Sequence, residues 1–67
     1  MDRNKQVDFL NQLAGDIVEN LSTGNAQELV EYALSDEGRK SWGIEIPSWF
    51  DDQDRALLVR LVDTKLP

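Results

Sequence analysis

The sequence predicts a small all-α domain, and three observations carry that prediction. Apolar residues recur at spacings of three and four over most of the chain, the period of an amphipathic helix. Helix-capping residues stand where that pattern starts and stops. The one strand-like alternation, Ile44-Glu45-Ile46, is three residues long and runs into Pro47, too short to form a sheet of its own. The expected architecture, a single domain over residues 1–67, is a bundle of three main helices, a short helical turn between the second and third, and an extended Ile-Glu-Ile-Pro connector.

The first helix spans Asn4 to Leu21, with Asp2 or Asn4 as its cap. Val7, Leu10, Leu13, Ala14, Ile17, Val18 and Leu21 form its apolar stripe, while Asp8, Gln12, Asp16 and Glu19 fall on the opposite side of the wheel. Phe9 sits at the margin between the two faces. Gly15 weakens the helix and marks either a close backbone approach or a tolerated defect. Ser22, Thr23 and Gly24 are expected to end the helix, with Gly24 in the left-handed conformation that closes helix C-termini.

Asn25, followed three residues later by Glu28, has capping-box spacing and begins the second helix. Its apolar stripe is Ala26, Leu29, Val30, Ala33 and Leu34, with Glu28 and Glu31 pointing away and Tyr32 at the edge. Ser35 caps a short third helix that Gly38 weakens and Gly43 ends. Ile44 and Ile46 are then expected to plug the core from an extended connector, together with Trp42.

The last helix runs from Asp51 to Lys65, with acids in its first turn and a cation near its end, as the helix dipole favours. Leu57, Leu58, Val59, Leu61, Val62 and Leu66 cover an arc of roughly 200°, twice what a one-sided surface helix needs. Such a helix is either covered on two sides within the domain or offers its outer edge to another subunit.

Composition bounds the function. A 67-residue chain lies near the lower limit for an independent core, and it has neither cysteine nor histidine to staple it. Self-association or a partner is then the available reinforcement, and a homodimer is expected. No apolar run is long enough to span a bilayer and the N-terminus lacks a signal-peptide pattern, so a cytoplasmic protein with no membrane association is expected.

The absence of Cys and His removes thiol and Ser-His nucleophiles and the usual zinc and di-iron sites. Asp51-Asp52-Gln53-Asp54 matches the start of a calcium loop, but Ala56 and Val62 stand where the loop needs its glycine and bidentate glutamate. The glycines are isolated, so there is no phosphate loop. Carboxylate pairs such as Asp16 with Glu19 and Asp51 with Asp54 sit at helix surfaces or caps rather than in a cleft, a structural placement. The chain is therefore expected not to be an enzyme and to hold no cofactor or metal.

The net charge is −6, and it is uneven: Gln6 to Gly38 holds seven acids and no lysine or arginine. Such a surface repels nucleic acid, so direct binding is not expected. It either keeps a small protein soluble or offers a docking face to a protein partner with a basic surface. The expectation is a non-enzymatic protein–protein interaction module: a small acidic adaptor, inhibitor or accessory protein of the kind phages and plasmids carry, presenting nucleic-acid-like charge. Its acidic docking face is Asp8, Asp16, Glu19, Glu28 and Glu31. The candidate apolar contacts are Phe9, Trp49, Phe50, Leu57, Val59 and Leu61, with Trp49 as the anchor because it follows Pro47 and Ser48 in a stiff approach to the last helix. The alternative is a small transcriptional or nucleic-acid accessory factor using Arg3, Lys5, Arg39, Lys40, Arg55, Arg60 and Lys65.

Overall fold

Residues 2–21 and 24–66 are described by a computed structural model of the protein. Among them are four α-helices and no strand: α1 (Arg3–Asn20), α2 (Ala26–Leu34), α3 (Asp36–Trp42) and α4 (Asp52–Lys65). The fold is all-α, with α4 packed most extensively on α1 and next on α2, and α3 packed on α2. The radius of gyration is 11.1 Å. A compact chain of this length is expected at about 11 Å.

Asp2 opens α1, its carboxylate accepting the Asn4 N–H at 3.1 Å. Leu10, Leu13, Ala14 and Ile17, spaced by three and four, are buried along one side. The helix closes at Leu21 in extended backbone, with the Leu21 N–H on the Ile17 carbonyl at 2.9 Å. This corrects the expected closure by Gly24. Gly24 has a positive φ of 113° but stands directly before Asn25, the cap of α2, so it shapes the approach to α2. Ser22 and Thr23, also expected to end α1, lie outside the described residues. A Cβ at Gly15 would meet nothing within 4 Å, so this glycine answers to no close approach.

Asn25 caps α2 by accepting the Glu28 N–H at 2.9 Å, and its amide donates to the Glu28 carboxylate at 3.2 Å. The reciprocal bond thus runs between side chains rather than to the cap's own backbone, as a full capping box would have it. Ala26, Leu29, Val30 and Ala33 are buried. Ser35 then serves two helices at once: its hydroxyl donates to the Tyr32 carbonyl at 2.5 Å and accepts the Gly38 N–H at 3.1 Å. With one residue as both C-cap and N-cap, α3 folds straight back onto the end of α2.

That corner explains Gly38. The expectation that it merely weakens a helix is incomplete, because a Cβ there would lie 2.1 Å from the Tyr32 carbonyl oxygen and 3.0 Å from the Ala33 Cα. Only glycine lets the two helices approach this closely. Gly43 ends α3 in the left-handed region at φ 66°, as expected.

In the connector Ile44 packs against the core, but Ile46 is 38% exposed, which corrects its expected role as a core plug. No neighbouring strand among the described residues holds the segment to two-residue alternation. A turn follows, with the Phe50 N–H on the Pro47 carbonyl at 3.1 Å, and Phe50 packs against the core instead. Trp42, the other expected plug, packs at the core's edge with its ring edge-on to half-exposed Tyr32 at 6.2 Å.

Asp51 caps α4 in a full capping box: it accepts the Asp54 N–H at 3.0 Å and its own N–H points to the Asp54 carboxylate. Leu58 and Val62 are fully buried, Val59, Leu61 and Leu66 pack half-buried against the same core, and Leu57 is half-buried. The broad apolar arc is thus taken up on two sides, by α1 and by α2. Asp52, Gln53, Ala56, Arg60, Asp63 and Thr64 make up the exposed strip opposite. Leu58 is wholly inaccessible at this junction, and its truncation to alanine should cost about 2–5 kcal/mol.

Candidate protein-binding surface

Burial of Leu10, Leu13, Ala14 and Ile17 fixes which way the rest of α1 faces. Asp8, Gln12, Asp16 and Glu19 consequently stand on the outward side, and all four are exposed. None of the three acids makes an ion pair among the described residues. The Asn20 amide, one turn beyond Asp16, donates at 2.7 Å to the Asp16 backbone carbonyl and leaves the carboxylate free.

Glu28 and Glu31, also exposed, belong to α2 and are engaged locally. Glu28 accepts from Asn25, and Glu31 accepts from the Gln27 amide at 3.4 Å and pairs with Arg55 of α4 at 3.5 Å. The five acids singled out in the sequence therefore divide into three uncompensated carboxylates on α1 and two on α2 with partners. An exposed pair such as Glu31–Arg55 contributes little to stability, roughly 0–1 kcal/mol, but it halves the negative charge α2 offers a visitor.

Three of the expected apolar contacts come together beside α1. The Phe9 and Trp49 rings meet edge-on at 5.7 Å and 83°, and Trp49 and Phe50 at 6.4 Å and 50°. All three are half-buried. The approach to α4 therefore folds back onto α1 and holds the Phe9 ring, an arrangement worth about 0.5–1.5 kcal/mol beyond the area it buries. Leu57, Val59 and Leu61 are half-buried on α4, and Val59 and Leu61 pack against the same core as Phe9 and Phe50.

A hollow of about 110 Å³ opens next to Phe9, lined by Phe9, Gln12, Leu13 and Asp16. A larger open groove of about 470 Å³ runs between α2 and α4 over Ala56 and Val59, with Gln27, Glu31, Asp52 and Arg55 at its edges. The Glu31–Arg55 pair spans its two helices. Among the described residues no group of three or more carboxylates gathers as a metal site would require.

The basic residues are partly spent on internal pairs. Arg39 pairs with Asp36 one turn away, Arg55 with Glu31, and Arg3 with Asp54 at 2.7 Å across 51 residues of sequence. Asp54 is only 2% exposed. The Arg3 guanidinium holds its carboxyl below the ordinary carboxylate range; burial pushes the other way, and the Asp51 N–H adds to the lowering. In the sequence Asp54 reads as a first-turn acid paired with Asp51 at a helix cap, and Arg3 as one of the free cations. The local signal, Asp51 and Asp54 at capping-box spacing, was present; a contact between the two ends of the chain has no signature in either segment.

Comparison with protein-family models, curated protein sequences and solved structures finds no match to this chain in any of the three.

Proposed function

We propose that this chain is a non-enzymatic protein-binding module, an inhibitor or adaptor working in the cytoplasm, that engages a basic surface of its partner through the outward face of α1. The observation that carries this reading is the exposed, uncompensated set Asp8, Asp16 and Glu19 on one side of an 18-residue helix. Carboxylates without internal partners keep their full field for a visiting cation, and such fields steer association and set its salt dependence. The same charge argues against nucleic acid as the ligand.

Self-association through the outer edge of α4 has less behind it, because Leu57, Val59 and Leu61 are half-buried within the chain and the exposed strip of α4 is mostly polar. A second copy would also bring its own acidic α1 into the assembly.

The test is affinity capture from host lysate with the full chain and with a D8K/D16K/E19K variant that circular dichroism shows to be folded. Proteins retained by the native chain, released by moderate salt and lost with the variant support the proposal. Equal recovery with both chains removes it.

A further inference from the structure

We propose that the hollow formed by Phe9, Gln12, Leu13 and Asp16 receives a side chain from a basic amphipathic α-helix of the partner, lying along the outer edge of α1. This rests on the protein-binding reading above and specifies the element that binds.

The size of the hollow comes first. At about 110 Å³ it is far below the roughly 300–1,000 Å³ of small-molecule sites and suits the end of a single side chain. Its shape comes second. Residues 9, 12, 13 and 16 are related as i, i+3, i+4 and i+7. Those four positions outline the hole that accepts a knob in helix-into-helix packing. A hole of this kind is matched by a facing helix, whose own residues repeat with the same rise.

The walls specify the visitor. Phe9 and Leu13 bound the hollow on the side nearer the core, Leu13 being buried and Phe9 half-buried. Gln12 and Asp16, both exposed, bound it on the outer side. An entering side chain therefore needs an apolar stem and neighbours that answer negative charge. Trp49 stands edge-on against Phe9, so the wall is already set before a partner arrives and little ordering is left for binding to supply.

Charge complementarity decides between a foreign helix and a second copy. Asp8, Gln12, Asp16 and Glu19 form a line of about 16 Å at the helical rise, beginning one turn before the hollow's outer edge and ending one turn after it. Lys5, one turn before Phe9, marks the N-terminal limit of this anionic strip. Lysine or arginine on successive turns of a facing helix would meet that line, whereas another α1 would set carboxylate against carboxylate.

The test uses two synthetic peptides of identical composition. One places leucine and alanine on one helical face with lysines flanking them, and the other is scrambled so that no face forms. Each is titrated against the full chain at low and physiological salt, with backbone amide chemical shifts as the map. We expect the amphipathic peptide to bind about tenfold more tightly, the factor one good interface contact supplies, with shifts concentrated between Asp8 and Glu19. Gln12→Trp roofs over the hollow at an exposed position without changing charge, and it should remove most of that preference while leaving the salt dependence.

Equal binding of the two peptides, or an unchanged preference in Gln12→Trp, overturns the inference, as does failure of both to bind at low salt. Sedimentation showing that the same residues shift through dimerisation overturns it in favour of a second copy. If lysate capture is still lost on charge reversal while the peptides are not distinguished, the protein-binding reading stands and only the helix-and-hollow inference falls.

Discussion

The same substitution, glycine to alanine, should act with opposite sign at two helical positions of this chain. In a helix interior the exchange gains up to about 1 kcal/mol from propensity alone. At Gly15 the added methyl meets no atom within 4 Å and the backbone is ordinary helix, so the gain should appear nearly whole. At Gly38 the new Cβ would stand 2.1 Å from the Tyr32 carbonyl oxygen, and the obstacle is backbone, with no rotamer to yield. Relief requires α3 to retreat by about 1 Å, an overpacking cost of roughly 1–3 kcal/mol. That retreat also stretches the 3.1 Å bond from the Gly38 N–H to Ser35, the cap of α3. Losing a cap costs about 1 kcal/mol. Set against the propensity gain, Gly38→Ala should cost about 1–3 kcal/mol, a large part of the few kcal/mol expected for a domain this size. At about 4–8 °C per kcal/mol, thermal unfolding followed by far-ultraviolet circular dichroism should move up by several degrees for Gly15→Ala. For Gly38→Ala it should move down by about 4–24 °C on the same scale. A Gly38→Ala chain as stable as the native one refutes the claim that the α2–α3 corner depends on the missing Cβ. A destabilised Gly15→Ala refutes the open space assigned to that site.

Three other outcomes follow from the same structure. Gly43→Ala, at a left-handed position with open space around it, should lose about 1–2 kcal/mol for conformational reasons alone, and Gly43→Asn should recover part of that in urea denaturation. Because the carboxyl of Asp54 is held below its unfolded value, chiefly by Arg3, its contribution is complete above that unfolded value and is lost as pH falls through the folded one; Arg3→Gln should flatten the stability-versus-pH curve between neutral pH and the acid limb, and an unchanged slope would show that the pair does no such work. Trp49→Ala, at a half-buried position, should cost about 2 kcal/mol, roughly half the loss at a fully buried aromatic, while reducing partner capture by a larger factor; a stability loss with capture intact would make Trp49 a core residue only.

Helix type and caps were legible because each is written within a few residues. Asn25 with Glu28, Ser35 with Gly38 and Asp51 with Asp54 are local pairs, and each forms a capping bond in the structure. The outward placement of Asp8, Asp16 and Glu19 was legible for the same reason, since helical period alone sets it. What escaped was long-range or relational. Nothing near Gly38 announces that the end of α2 will press on it, and Arg3 reads as a free surface cation until the first turn of α1 reaches Asp54. Ile46 failed in another way. Alternation places it with Ile44, but period two holds only while a strand partner enforces it, and the Pro47–Phe50 turn delivers Phe50 to the core instead.

The orientation of α1 about its own axis underlies every claim about its outer face, and it is fixed twice by unlike interactions. Along its length, Leu10, Leu13, Ala14 and Ile17 bury against α4 and α2, which permits sliding among near-equivalent apolar contacts better than it permits rotation. At its start, Arg3 meets the buried Asp54 at 2.7 Å, a directional bond to the one carboxylate that also closes the capping box of α4. A slip by one residue would turn the helix by about 100°, carry Asp16 toward the core margin and take the Arg3 guanidinium away from the Asp54 carboxylate. Sliding and rotation are therefore both blocked, the first by the ion pair and the second by the apolar stripe. The strip Asp8–Gln12–Asp16–Glu19 makes none of those contacts, so its side chains can be exchanged without disturbing what holds the helix. Binding and folding should thus be separable by mutation on this helix, and a charge-reversed α1 that unfolds the domain would contradict the assignment of its two faces.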